Sequence, residues 1–565
     1  MQMKRKPRIL WCGEASFLNT GYAVYAKEVL TRLFQTNKYE IAELACYGSV
    51  DDEELQSVPW RYYGNLPNLD NQQELDNYQS SQIYQFGEWR FEDVCMDFKP
   101  DIVCDIRDWW MLEYQQRSPF RDFYHWMIMP TIDSAPQQEE WLATYLDADT
   151  VFTYSEYGKG VLEKEIGEKI TVKDICSPGA NLDKFFPVPN KSLHRETSGF
   201  QQDITVIGTV MRNQKRKLYP ELISAFASYL KKHPTESKKV FLYLHTTYPD
   251  NGWDIPRLIR EAGVASRVLL TYKCKRCGFV FPSFFQEATT TCAKCGKIAA
   301  SPPTPQSGVS TEDLCKIINF FDLYVQYSIC EGFGMPQVEA ACCGVPVMAV
   351  DYSAMSSVIR NIKGYPIDVK VLFRELETHS MRAYPDNDDL VSKLHEFVSL
   401  PQPMKAAKGR EAYNAATKRY SWDETAKKWE TALDEVKLRD TSETWDSQPR
   451  LINPPQAIPN PISNEDLISW GIINLWGNQR MIDSFTSLRL LRELNQGFIM
   501  YNFKNIFNLD ESLITQKSWQ EFGQQDVIDQ LHELGQINNH WELQRVGSHR
   551  NIPEFIQNKK LGINE

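Results

Sequence analysis

Two carboxylates bracket a glycine-rich turn in this chain: Glu331-Gly332-Phe333-Gly334-Met335, then Glu339 eight residues after the first acid. Apolar runs flank the turn, Leu323–Val325 before it and Val345–Val350 after it, so the pattern is strand, loop, helix, strand. Pro336 falls in the first helical turn, where its missing N–H costs nothing, and Gly344 stops the helix. Free N–H groups at such a helix start point into the mouth of the loop and suit a phosphate. Glu339, one turn in, reaches a diol beside that phosphate, and Glu331 reaches a second polyol. Phosphate between two hydroxyl-binding acids describes a nucleotide-sugar. A second constellation is Cys274-x2-Cys277, fourteen residues, then Cys292-x2-Cys295. That spacing predicts a closed, four-thiolate structural zinc site in a ribbon.

The elements that must position these residues form an α/β pattern. Arg8–Trp11 is a first strand, Cys12–Gly21 a polar loop, and Tyr22–Phe34 a helix that Asn19 or Thr20 caps. Residues 51–90 are polar and aromatic without a clear period and read as an insertion or long loops. The run from Pro100 ends in Asp105, Arg107, Asp108, Trp109 and Trp110, beyond the carboxyl end of a strand, where ligands of parallel sheets lie. These residues suit sugar or base stacking, or else form tryptophan core capped by an ion pair. Trp126–Pro130 and Val151–Ser155 are further strands, and the Pro/Gly-rich stretch from Ser177 to Pro187 is a hinge. Then come strands at Ile204–Thr209, Val240–His245 and Val268–Thr271.

With 565 residues, 62 basic and 74 acidic, the chain carries a net charge of −12, needs more than one core, and does not have the balance of a general nucleic-acid binder. No apolar run approaches a membrane span, and thirteen cysteines without a secretory leader imply reduced thiols, so a soluble cytoplasmic protein is expected.

The block Glu331-Gly-Phe-Gly-x4-Glu339-Ala340, with Gly344-Val345-Pro346, resembles the double-acid motif of the retaining GT-B glycosyltransferases of family four (group 1). The resemblance covers about residues 7–436, with specific motifs in the second half and loose ones in the first. It implies two Rossmann-like domains facing a cleft, at 1–188 for the acceptor and 189–440 for the nucleotide-sugar. The ribbon (273–297) is an insertion on the cleft rim, and the second half is followed by a proline-punctuated linker (441–463) and a helical C-terminal region (464–565) for packing, partner binding or assembly.

The resemblance also implies roles. Arg212 and Lys217 hold the donor diphosphate; Lys215 and Arg216 are read as solvated charge. Glu331 contacts the donor sugar and Glu339 the ribose, with Gly332, Phe333, Gly334 and Met335 around the phosphates. Gly21 approaches the donor phosphates or the acceptor, and Tyr272 frames the nucleobase. Where the family often has a histidine this chain has Ile132-Asp133, so Asp133 is assigned to the acceptor hydroxyl or the sugar. Transfer proceeds by same-face attack, with no catalytic divalent metal. The acceptor stays open among a glycan, a lipid-linked sugar, a protein and a modified base. Carbohydrate stands first, and DNA with hydroxylated bases is the alternative, because the ribbon carries Lys273, Lys275, Arg276, Lys294 and Lys297 against Glu287 alone. Another sugar-nucleotide enzyme, such as an epimerase or phosphorylase, and a non-catalytic scaffold are the remaining readings.

Overall fold

A computed structural model describes residues 5–440 and Trp445, apart from 119, 201–202, 286–288 and 305–306. The proposed linker and helical C-terminal region lie outside the described residues, Trp445 excepted.

The first half is a seven-stranded, all-parallel sheet. Its strands are β1 (Arg8–Glu14), β2 (Glu40–Cys46), β3 (Arg61–Gly64), β4 (Ile102–Asp105), β5 (His125–Ile128), β6 (Thr150–Thr153) and β7 (Val172–Ile175), in the order β3-β2-β1-β4-β5-β6-β7. Two expectations change here. Strand β1 continues through Gly13 and Glu14, because both pair with β2, so the loop begins at Ala15. Residues 51–90 are no bare insertion: Arg61–Gly64 pairs in parallel with Ala42–Ala45 and forms the sheet edge. Helix α1 (Gly21–Gln35) follows β1; Thr20 caps it, its hydroxyl accepting from the Ala23 N–H at 3.3 Å.

The second half is built on β8 (Thr205–Val210), β9 (Val240–His245), β10 (Val268–Cys274), β11 (Val280–Phe284), β12 (Thr290–Thr291), β13 (Ile298–Ser301), β14 (Leu323–Gln326), β15 (Val347–Val350) and β16 (Tyr365–Ile367). The order is β12-β13-β10-β9-β8-β14-β15-β16, with β11 on β10. Helix α2 (Tyr219–Lys232) follows β8, and helix α3 (Met335–Cys342) follows β14. Gly344, at φ +70°, closes α3: its N–H bonds to Ala341 O at 2.9 Å and the Val345 N–H to Ala340 O at 3.0 Å. That pair of bonds is a Schellman stop. A hairpin, β17 (Val369–Arg374) with β18 (Met381–Pro385), completes this half.

The ribbon is not appended to this sheet but grows out of it. Strand β10 pairs with β9 through Leu270, then continues and pairs with β11 and β13 up to Cys274. Helix α4 (Trp422–Glu435) crosses back to the first sheet, where Trp429 is fully buried near Trp11 and Phe152 and its indole donates to the Tyr25 hydroxyl at 2.8 Å. Among the described residues no helix is long and apolar enough to cross a membrane.

Candidate active site

In the second sheet β8 has β9 on one side and β14 on the other, so chain direction across the sheet reverses there. Crevices at such points, beyond the carboxyl ends of the strands, are where open α/β sheets bind ligands. The loops leaving β8 and β14 are stitched together at this point, with the Leu218 N–H bonding to Tyr327 O and the Ile329 N–H to Arg216 O, each at 3.0 Å. The stitching brings Glu331 to both cations of the other loop: Lys217 Nζ meets Oε1, and Arg216 Nη1 meets Oε2 at 2.7 Å. Gln326 and Ser328 also donate to Oε1, each at 2.7 Å. Burial alone would neutralise Glu331, but Lys217 and Arg216 outweigh it and hold the carboxyl well below the usual range. Burial and Arg216 bring Lys217 down to about 8, against the pull of Glu331.

Arg216 therefore belongs to the site, contrary to its reading as solvated charge. The helix begins only at Tyr219, and Lys217 lies in an extended bridge with Ser328 that turns the loop onto Glu331. Arg212 lies further out: half its side chain is exposed, and it is held by Asp250 at 3.0 and 3.2 Å.

The glycine loop has the geometry its composition requires. Gly334 sits at φ +87°, and a Cβ on Gly332 would lie 2.4 Å from Thr131 Cγ2 of the first sheet's loops, so only glycine allows that approach. Met335 opens α3. Glu339 is part-buried, its carboxylate has no hydrogen-bond or ion-pair partner among the described residues, and it is pushed up to about 7 by burial and by Cys315. Phe333 differs from expectation: its ring is buried edge-on against Tyr420, leaving only its backbone to the loop. Tyr272 differs too. It is fully buried in β10 and stacked on Phe281 at the ribbon root, presenting no open face for a base to stack on.

The first sheet supplies the opposite wall. Asp133 accepts from Arg382 of β18 at 2.8 Å and from the Cys330 thiol at 3.2 Å, joining the two halves. The Tyr22 and Thr131 hydroxyls hydrogen-bond each other at 2.8 Å. Burial and Asp133 push Asp108 up to about 6, while Thr131, Tyr22 and Arg216 pull the other way. Arg382 had no readable signal in the sequence, because its place is set by the hairpin docking on the first sheet. Gly21 is exposed at the start of α1 with open space before it.

Asp105 at the end of β4, Arg107 and Trp109 are tied into the fold. Asp105 and Arg107 form a fully buried ion pair, and the Trp109 indole donates to Thr144 at 2.8 Å and packs on Trp141. Only Trp110, 45% exposed, is open, so the two tryptophans do not form a joint stacking platform.

At the ribbon, the four sulfurs of Cys274, Cys277, Cys292 and Cys295 lie within 4.8 Å of one another, with Sγ–Sγ distances of 3.7 Å (274–295) and 3.6 Å (277–292). Zinc–sulfur bonds of about 2.3 Å in a tetrahedron require edges of about 3.8 Å. Each knuckle turns at a left-handed glycine, Gly278 at φ +69° and Gly296 at +65°. The cluster thus fits one tetrahedral thiophilic ion.

Residues 306–390 match the family Glycosyl transferases group 1. That stretch holds the glycine loop, both acids and Arg382. A curated relative, the D-inositol 3-phosphate glycosyltransferase of Gordonia bronchialis, is 24% identical over 214 residues, which span 37% of this chain and 39% of that protein. Among solved structures, a sucrose-phosphate synthase from Thermosynechococcus elongatus superposes with a TM-score of 0.53 at 15% identity, covering 76% of this chain and 99% of its own. HepE from Anabaena, in complex with UDP and glucose, gives 0.53 at 14% identity over 76% of this chain and all (100%) of HepE. The fold is that of the GT-B glycosyltransferases.

Proposed function

We propose that this chain is a retaining glycosyltransferase that moves a sugar from a nucleotide-sugar to an acceptor hydroxyl, a carbohydrate acceptor standing first. The observation that carries the reading is the convergence, at one strand-order reversal, of Lys217 and Arg216 on Glu331 beside a glycine loop whose next acid, Glu339, has no partner of its own. In this reading the diphosphate lies between the α3 N-terminus and the cations Lys217 and Arg212, and Glu339 takes the ribose diol. Glu331 fixes Lys217 together with Arg216, and its Oε2 edge, shared with Arg216, faces the donor sugar. The anomeric C–O bond to the diphosphate breaks as the acceptor oxygen bonds to the same face. The acceptor proton passes to the departing diphosphate oxygen, whose growing negative charge the cations stabilise. Asp133 and Asp108 on the opposite wall hold the acceptor's hydroxyls. The four cysteines hold one structural zinc, and no step uses it.

The test is release of nucleoside diphosphate from UDP-, GDP- and ADP-sugars, with product anomers assigned by NMR. Release with retained configuration, lost in Lys217→Ala, is the expected result; inversion, or no release from any donor, refutes the reading.

One observation favours a second reading, a polyanionic acceptor such as DNA with hydroxylated bases. Lys275, Arg276, Lys294 and Lys297 are all exposed on the ribbon, with Lys294 over the exposed ring of Phe279. Phosphate contacts of this kind make binding fall with salt. Duplex DNA binding that is salt-dependent and lost when Lys275, Arg276 and Lys294 become Ala supports it; binding unchanged in that variant, or absent in wild type, removes it.

A further inference from the structure

The segment after β9, residues 246–253, lies between the ribbon and the loop that carries the cations. On the ribbon side, the Tyr248 N–H donates to Pro303 O at 2.9 Å, just past the last ribbon strand, and Lys273 Nζ donates to Gly308 O at 2.5 Å where the chain leaves the ribbon. On the cation side, Asp250 is almost wholly covered and grips Arg212 with both oxygens, braced by the Thr247 hydroxyl. The Asn213 N–H donates to Thr247 Oγ1 at 3.2 Å. Asn213 and Trp253 exchange two bonds of 2.8 Å each, and the Trp253 indole donates to Lys217 O at 2.8 Å. Gly252 is pressed so close that an added Cβ would sit 2.6 Å from the Asn213 carbonyl carbon and oxygen. The two diphosphate cations are therefore set by this segment, and the segment is tied to the ribbon.

The ribbon is too small to hold its shape by apolar burial. Its buried groups near the cluster are Cys274, Cys292 and Ala300, and a module of this size draws its folding energy from the metal. We propose that the metal-loaded ribbon positions the diphosphate cations: the four thiolates fix β13 and its exit, the exit fixes Tyr248, and Asp250 then holds Arg212 while Trp253 holds Lys217. Asp250 and the four cysteines are positioning residues. The proposal rests on the donor-site reading above and gives the ribbon a task at the site rather than only a bracing one.

The test uses the full chain and inorganic pyrophosphate, which probes the cation pair whatever the base and sugar of the donor. Calorimetry is run on wild type, on wild type stripped by chelator and reloaded with zinc, on Cys295→Ser, on Asp250→Asn and on the double variant, with metal content by elemental analysis. The expected result is a tenfold or greater weakening in the stripped and Cys295→Ser proteins, reversed by zinc only in wild type. Asp250→Asn should weaken binding while keeping its metal, and the double variant should bind no worse than the weaker single one, because both act through one path. Should Cys295→Ser fail to fold, the strip-and-reload arm together with Asp250→Asn decides the matter. Wild-type affinity in metal-free protein, or additive losses, overturns the inference and leaves the donor site standing. Wild type that binds neither pyrophosphate nor any nucleoside diphosphate overturns the donor reading and this inference with it.

Discussion

Lys217 is a cation whose charge the unbound protein only just keeps. Its ammonium is faced by Arg216, Glu331 and Cys330, and burial together with Arg216 brings it down to about 8 from the ordinary lysine value of about 10.4. A bound diphosphate adds negative charge and raises it again. The sign follows directly. Well below pH 8 the free protein already holds this proton, so Lys217 adds no pH dependence to affinity there. Above pH 8 the proton must be taken up on binding, and each further pH unit costs about 1.4 kcal/mol, or tenfold in Kd, until the bound-state pKa is reached. At pH 9 a group of pKa 8 is about nine-tenths deprotonated, so close to one proton is absorbed per ligand bound. The assay is calorimetric titration of UDP from pH 7 to 9.5 in buffers of different ionisation heat, which reads Kd and proton uptake separately. Lys217→Arg keeps a cation that does not titrate in this range, and should flatten the profile. A wild-type profile flat to pH 9.5, or the same inflection in Lys217→Arg, would remove Lys217 from the diphosphate site.

The other expectations concern the two acids and the ribbon. Glu339, pushed up to about 7, is largely protonated in the free protein below that pH, and a ribose diol that donates to it releases the proton. UDP binding at pH 6 should thus expel protons, whereas Glu339→Gln should expel none and bind about 1.5–3 kcal/mol more weakly; unchanged affinity would displace the nucleotide from α3. Glu331 lies well below its unfolded value of about 4.3, so its contribution to stability is present above that pH and lost as pH falls. Urea unfolding between pH 3 and 7 should show a shallower acid slope in Glu331→Gln, and an identical slope would mean the buried cluster is not what acid breaks. Elemental analysis should find one zinc per chain and none in Cys292→Ser, and a zinc-free wild type purified without chelator would refute the four-thiolate site.

What the sequence made legible was whatever is fixed within a few residues. The glycine loop, the helix start at Met335, the stop at Gly344 and the paired Cys-x2-Cys knuckles are local constraints, and each stands where the spacing put it. What escaped depends on partners far along the chain. Residues 61–64 have too few apolar positions to announce a strand, and they are one only because β2 offers an open edge. Arg216 and Lys217 look alike in sequence. As neighbours in an extended bridge their side chains leave on different sides, yet both end on Glu331 because its two oxygens face two ways. Tyr272 and Phe333 were assigned by position in the chain, but position fixes the backbone only, and both rings are packed in the core, against Phe281 and Tyr420. The same distinction explains why Asp250 was invisible. An acid in a loop with no motif around it acquires a role only when the sheet sets it opposite Arg212, and the sheet there is the one that the ribbon extends.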